Sequence, residues 1–278
     1  GVAVGGTIVI SVDRQIWFEI DFSLVCYATL QAMKTHVFSY IQNLTKSLSS
    51  LEALSAEEYK LLPEGGTDGR VTIRQGSHLG QIVIKIDSAK FLADASRTLP
   101  KYVIPLRLTD GNGTDLMADK ATSVVGVRYE NMLFGNYWHG GETIVTDASG
   151  AEVNRIAYYT TVPQPETRVW TLTTVAPFSL TANAVGGELN GSKAQLTLTQ
   201  GEGGAITVSA ADGADYVVEV DGDCSFNRAK LLQNRRIYLK YKYVKEGLTY
   251  HATDTLTFRN RVRDGVNEWQ DENPGNYE

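Results

Sequence analysis

The feature that most constrains this chain is the spacing of its strand-like runs beyond residue 130. Eight or nine short segments follow one another there, at 135–141, 153–161, 169–175, 178–184, 194–199, 205–209, 216–220, 235–244 and 249–259, joined mostly by tight turns containing Gly or Asp. Short strands with tight connections pair with their sequence neighbours as an antiparallel meander. Closing that meander into a barrel removes both exposed edges. Within 237–244, Ile237, Leu239, Tyr241 and Tyr243 alternate with Tyr238, Lys240 and Lys242. Such a strand has one apolar face and one wet face.

Upstream the period changes. Leu30, Met33, Val37, Ile41, Leu44, Leu48 and Leu51 recur at intervals of three and four, which predicts an amphipathic helical segment near 28–60. Ser55 and Glu58 have capping-box spacing for a last short turn, and the Pro63-Glu64-Gly65-Gly66 stretch then stops any helix. Around this segment, runs at 7–12, 16–20, 71–73, 81–86, 102–109 and 123–129 are short and β-rich, the pattern of a sandwich. At 278 residues the chain exceeds the usual size of one core. The expected division is a β-sandwich with a helical segment over 1–130 and a barrel-forming meander over 131–278.

The formal net charge of −6 repels phosphate backbones, so nucleic acid is not an expected partner. No apolar run approaches the ~18–20 residues of a membrane-spanning helix. A start at Gly1 running directly into a strand suggests that a signal peptide has been removed. Cys26 and Cys224 fall in different predicted domains and are expected to be unpaired thiols.

Catalytic and metal chemistry find little footing. His36, His78, His139 and His251 stand singly, without a second ligand at metal-binding spacing. There is no Gly-x-Ser-x-Gly elbow and no paired-acid motif. Glu57 and Glu58 fit a helix start, and Glu268, Asp271 and Glu272 lie in a polar tail. The Asp110–Asp115 stretch has oxygen ligands at alternate positions but lacks the distal Glu of an EF-hand and reads as a hairpin turn, as does Gly201-Glu202-Gly203-Gly204. The expectation is a protein without cofactor, metal or enzymatic activity.

Several strings resemble a known family. Glu58-Tyr59-Lys60-Leu61-Leu62-Pro63, Val71-Thr72-Ile73 with Gly76, and Tyr102 to Thr109 are similar to the N-terminal module of a Bacteroidetes two-domain surface-lipoprotein family of unknown function. Asn131, Gly135, Tyr137, Trp138, Gly140 and Gly141 resemble its junction. Leu172-Thr173-Thr174 and Leu256 to Arg261 resemble its second domain. The resemblance implies an immunoglobulin-like sandwich followed by a lipocalin-like (calycin-like) barrel. It also implies association with SusC/SusD-type glycan-uptake systems, with oligo- or polysaccharide and outer-membrane uptake proteins as partners. The N-terminal module also precedes some family 18 glycoside hydrolase domains. A cell-surface or periplasmic location, with a lipid anchor on a removed N-terminal segment, follows from the same resemblance. Separately, Gly135-Asn136-Tyr137-Trp138 and Arg259 are similar to the Gly-x-Trp and late Arg of lipocalin-like barrels, which implies that Trp138 packs at the barrel base under Arg259. Arg259, Arg261 and Arg263 share one side of an extended strand, and ion pairs with Asp264 or Glu268 are expected for them.

The second domain is rich in aromatic residues: Tyr137, Trp138, Tyr158, Tyr159, Trp170, Tyr238, Tyr241, Tyr243 and Tyr250. Most belong to packing and cross-strand pairs. Flat rings also stack on sugars, and Trp170, Tyr159 and Tyr158 are the expected carbohydrate-binding residues, Trp170 because it starts a strand beside a turn-rich loop. The expected function is a non-catalytic, carbohydrate-associated binding or accessory protein. The alternatives are an adhesion module that holds other proteins and a carrier of a small hydrophobic ligand inside the barrel.

Overall fold

The computed structural model describes residues 5–11, 18–24, 51–63, 70–73, 79–99, 101–110, 121–158, 169–187, 189–190, 195–263 and 266–268. The chain is mainly β and divides into two compact units, Gly1–Tyr129 and Glu130–Glu278.

Among the described residues unit 1 contains two sheets. β1 (Gly5–Ser11), β6 (Leu79–Ile86) and β4 (Tyr59–Pro63) form one, in that order. In the other, β3 (Glu52–Ala53), β7 (Tyr102–Asp110), β2 (Phe18–Leu24) and β5 (Arg70–Ile73) lie side by side and β8 (Thr122–Val127) pairs with β7. Alternation along β6 turns Ile82, Ile84 and Ile86 inward and leaves Val83 and Lys85 exposed. These isoleucines share a core with Val71, Tyr102, Ile104 and Leu106 of the other sheet. Between β6 and β7 a single helical turn, α1 (Ser88–Phe91), is capped by the Asp87 carboxylate, which accepts from the Ala89 and Lys90 amides, and seats the fully buried Phe91 in the same core.

Of the helix expected near 28–60, residues 25–50 lie outside the described residues, and the part that is described is not helical. Glu52–Ala53 pairs in parallel with β7, Ser55 to Glu58 is a turn closed by the Glu58 amide on the Ser55 carbonyl at 3.0 Å, and β4 begins at Tyr59. The reason lies elsewhere in the chain. Glu58 does not complete a capping box; it accepts from Arg97 at 2.6 Å, and that guanidinium also lies 3.9 Å from the centroid of the Tyr102 ring. A tertiary ion pair outweighs a local cap.

Unit 2 is a nearly closed barrel. It contains β9 (Gly135–Thr146), β10 (Glu152–Tyr158), β11 (Val169–Ala176), β12 (Ser179–Ala182), β13 (Ala184–Val185), β14 (Leu189–Asn190), β15 (Leu196–Gln200), β16 (Ile206–Ala210), β17 (Val218–Val220), β18 (Ser225–Phe226), β19 (Arg236–Lys245), β20 (Leu248–Arg263) and β21 (Val266–Glu268). The main sheet runs β16-β15-β12-β11-β9-β20-β19-β17. Its two ends meet where Ala205 bridges Ser225 and the Ile206 amide donates to the Cys224 carbonyl at 2.9 Å. β19 and β20 form an unbroken ten-pair hairpin, whose two-residue turn, Glu246-Gly247, has positive φ at both positions. β9 has two partners along one edge. Gly135 to Trp138 pair with β11 and Gly141 to Thr146 with β10, both antiparallel, so β10 and β11 run in the same direction on either side of residues 159–168.

Candidate functional site: the barrel interior and its outer wall

Alternation brings the inward residues of β9, β19 and β20 into one buried cluster. His139 and Asp254 are 1% exposed, with Nε2 and Oδ1 3.0 Å apart, a close electrostatic contact that is not aligned as a hydrogen bond. The Tyr241 hydroxyl donates to Asp254 Oδ2 and accepts from the Gly186 amide, each at 2.7 Å. Trp170 stacks on the His139 imidazole at 4.2 Å, Tyr158 lies 4.7 Å from it, and the Tyr158 hydroxyl bonds Thr143. The β13–β14 hairpin turns over this cluster through Gly186 and Gly187. A Cβ on Gly187 would sit 2.0 Å from the Tyr158 ring, which is why the chain can approach only as glycine. Burial, reinforced by the neighbouring Asp254, pushes the Tyr241 phenol well above its ordinary pKa. With Asp254 and His139 sealed from solvent, the cluster is placed to hold three strands in register.

A second set of polar contacts closes one end of the sheet. The Tyr137 hydroxyl donates to the Leu133 carbonyl at 3.0 Å, and its ring meets Phe258 edge-on at 5.6 Å. Arg261 donates to the Phe134 carbonyl at 2.9 Å and to the Met132 carbonyl at 2.5 Å, and Arg235 also donates to the Met132 carbonyl. Burial raises the Tyr137 phenol to about 12, with Arg235 and Arg261 pulling the other way. Trp138 and Arg259 do pack together as expected, but not at the barrel base: Tyr137 and Arg261 occupy the interior. Trp138 is only partly buried on the outer face, and Arg259 lies over its ring at 4.8 Å. An irregularity in the β20–β9 register between Phe258 and Asn260 shifts the parity and carries Arg261 inward, onto the Phe134 and Met132 carbonyls; the expected partner Asp264 lies outside the described residues.

The predicted sugar-contacting rings are placed differently. Trp170 pairs with Tyr137 and faces the interior at 2% exposure, and Tyr158 is 4% exposed, so neither presents a face to the surface. Tyr159 lies outside the described residues. Among the described residues the rings that reach solvent include Phe178, 53% exposed between β11 and β12, Tyr238, and in part Trp138. Cys224 is a free, buried thiol whose sulfur accepts from the Lys240 amide at 3.1 Å, and burial raises its pKa; Cys26 lies outside the described residues.

The outer wall of the barrel has two chemically distinct halves. Around β9, β10, β17, β19 and β20 it is charged, with Arg155 paired to Glu142 at 2.7 Å and to Glu152 at 2.9 Å, Lys242 to Glu219 at 3.1 Å, and His251 to Asp221 at 2.7 Å. The four adjacent strands β11, β12, β15 and β16 contain no Asp, Glu, Lys or Arg at all. Their outward positions are mostly hydroxyl-bearing, and the register aligns them. Thr173, Thr181, Thr197 and Ser209 form one row across the four strands, and Ser179, Thr199 and Thr207 form the next, with Ser179 and Thr199 hydroxyls 3.2 Å apart. Sequence reading missed this surface because each Thr is accounted for singly as a β-former.

No protein-family model matches the chain, and no curated protein matches it. Among solved structures the chain is similar to a protein of unknown function from Bacteroides ovatus, with a TM-score of 0.67 and 19% identity over 92% of this chain and 85% of that one. Looser likenesses are to a multidomain protein from Bacteroides ovatus, at TM-score 0.46, 15% identity and coverage of 95% and 90%, and to an auxiliary nutrient-binding protein from Bacteroides thetaiotaomicron, at 0.48, 17%, 95% and 88%. What the first of these establishes is a shared fold.

Proposed function

We propose that the chain is a non-catalytic, carbohydrate-associated binding or accessory protein of a glycan-utilisation system at the surface of a Bacteroidetes cell, working beside outer-membrane uptake proteins. On this reading its two units are an immunoglobulin-like sandwich and a lipocalin-like barrel, and a lipid anchor lies on a segment upstream of Gly1. The observation that carries the reading is the uncharged, hydroxyl-lined half of the outer wall, a surface that offers donors and acceptors without charge. Packing argues against the rival reading of a hydrophobic-ligand carrier, because Tyr137, Trp170, Leu172, Tyr241 and Tyr243 pack together in the interior, each 2% exposed or less. The test is retention of the purified chain on a panel of immobilised host and plant polysaccharides, both neutral and acidic. Retention by at least one, competed by the soluble polymer, is expected; failure on every member overturns the proposal.

A further inference from the structure

The hydroxyl-lined field narrows the ligand class. A soluble protein's exposed sheet face ordinarily carries charges of both signs, and the rest of this barrel does. Four neighbouring strands without one charged residue are a departure. Hydroxyl rows repeat every ~4.8 Å across the strands and every ~6.8 Å along them. Each threonine adds a methyl beside its donor and acceptor, so the surface offers hydrogen bonds and small apolar contacts at the same spacing. Phe178, 53% exposed at the turn between β11 and β12, supplies a flat ring at the border. At the opposite border Trp138, paired with Val169 of β11, is partly open.

We infer that this field binds a neutral polysaccharide laid across β11, β12, β15 and β16, with the rows Thr173-Thr181-Thr197-Ser209 and Ser179-Thr199-Thr207 meeting its hydroxyls and Phe178 stacking on one ring. The inference rests on the carbohydrate-binding reading above and names its site and ligand class. Neutrality follows from complementarity. An acidic glycan would bury its carboxylates or sulfates against four strands that supply no cation to pair them, which is costly. A neutral chain exchanges water hydrogen bonds for hydroxyl ones, many weak contacts summing along its length. Binding then has little dependence on ionic strength, since no charge pair is screened.

The experiment uses the full chain in affinity electrophoresis and calorimetric titration against neutral β-glucan and galactomannan and against acidic pectin and chondroitin sulfate. Wild type should bind a neutral polymer, bind acidic ones at least about tenfold more weakly, a difference of about 1.4 kcal/mol, and hold its affinity as salt is raised. Thr197→Lys in the centre of the field and Thr207→Lys at its exposed edge should each weaken binding about tenfold, while Thr253→Lys, on the outer face of β20, should bind as wild type. Melting curves confirm that each variant is folded. Undiminished binding in folded Thr197→Lys and Thr207→Lys overturns the site while leaving the carbohydrate-binding reading standing, and preference for the acidic polymers overturns the ligand class. Self-association that Thr207→Lys abolishes would make the field an interface between copies and overturn the inference. Absence of binding to any polysaccharide overturns both readings together.

Discussion

At the scale of single residues, the buried cluster sets the stability of unit 2. Asp254 contacts His139 and receives the Tyr241 hydroxyl, so Asp254→Ala leaves that hydroxyl without its acceptor where solvent cannot reach it. A loss of about 1–3 kcal/mol is expected in urea denaturation, the range for a buried donor left unsatisfied. Tyr137 makes stability depend on alkaline pH. Its pKa rises from 10.0 to about 12 on folding, so the native state holds this proton more tightly than the unfolded chain. Stability is undiminished by this group below pH 10 and falls as pH climbs through 12, by roughly 3 kcal/mol in all. Tyr241 acts in the same direction. Tyr137→Phe should therefore flatten the fall in stability between pH 10 and 12, while costing about 1 kcal/mol at neutral pH through the lost bond to Leu133.

At the scale of elements, β9 is the strand whose geometry is least forgiving. Gly141 has a φ of +130°, and a Cβ there would meet the Thr253 carbonyl oxygen at 2.0 Å. Gly141→Ala should cost about 3 kcal/mol or more, because backbone on both strands must move. Gly150→Ala, at φ +83° in the open turn before β10, should cost about 1 kcal/mol, since only the left-handed conformation is penalised. Paired chemical melts of the two variants test the contrast. β9 also marks how far the sequence could be read. Its existence and that of β19 and β20 were legible because alternation of period two survives any local detail, as in Ile237 to Tyr243. Which ring faces inward was not, since the answer turns on a single residue of parity. Counting inward from Gly135 places Tyr137 and His139 inside and Trp138 outside, and the irregularity after Phe258 does the same for Arg261 against Arg259. The turn at Ser55 to Glu58 was illegible for a different reason: its deciding partner, Arg97, is 39 residues away. The hydroxyl rows were illegible because alignment across strands exists only once register is known.

At the scale of the whole molecule, each unit has its own apolar cluster, built from residues of that unit alone. The fragment 130–278 should unfold in one cooperative transition and retain near-ultraviolet signals from its buried tyrosines; a broad, non-cooperative melt would mean that it needs unit 1 to fold. One connection in that fragment has a practical use. Residues 159–168 leave β10 at Tyr158 and return as β11 at Val169, and the partners of these two residues on β9, Gly141 and Trp138, are three positions apart. Departure and return points on β9 are thus separated by about 10 Å, whatever length of chain lies between them. Doubling the length of chain between two such fixed points costs only about 0.6 kcal/mol in closure entropy. An epitope tag or a small folded reporter spliced into 159–168 should therefore leave the barrel's melting temperature within a few degrees of the parent. That outcome would make the span between Tyr158 and Val169 a place where the chain can be labelled or tethered without disturbing the barrel.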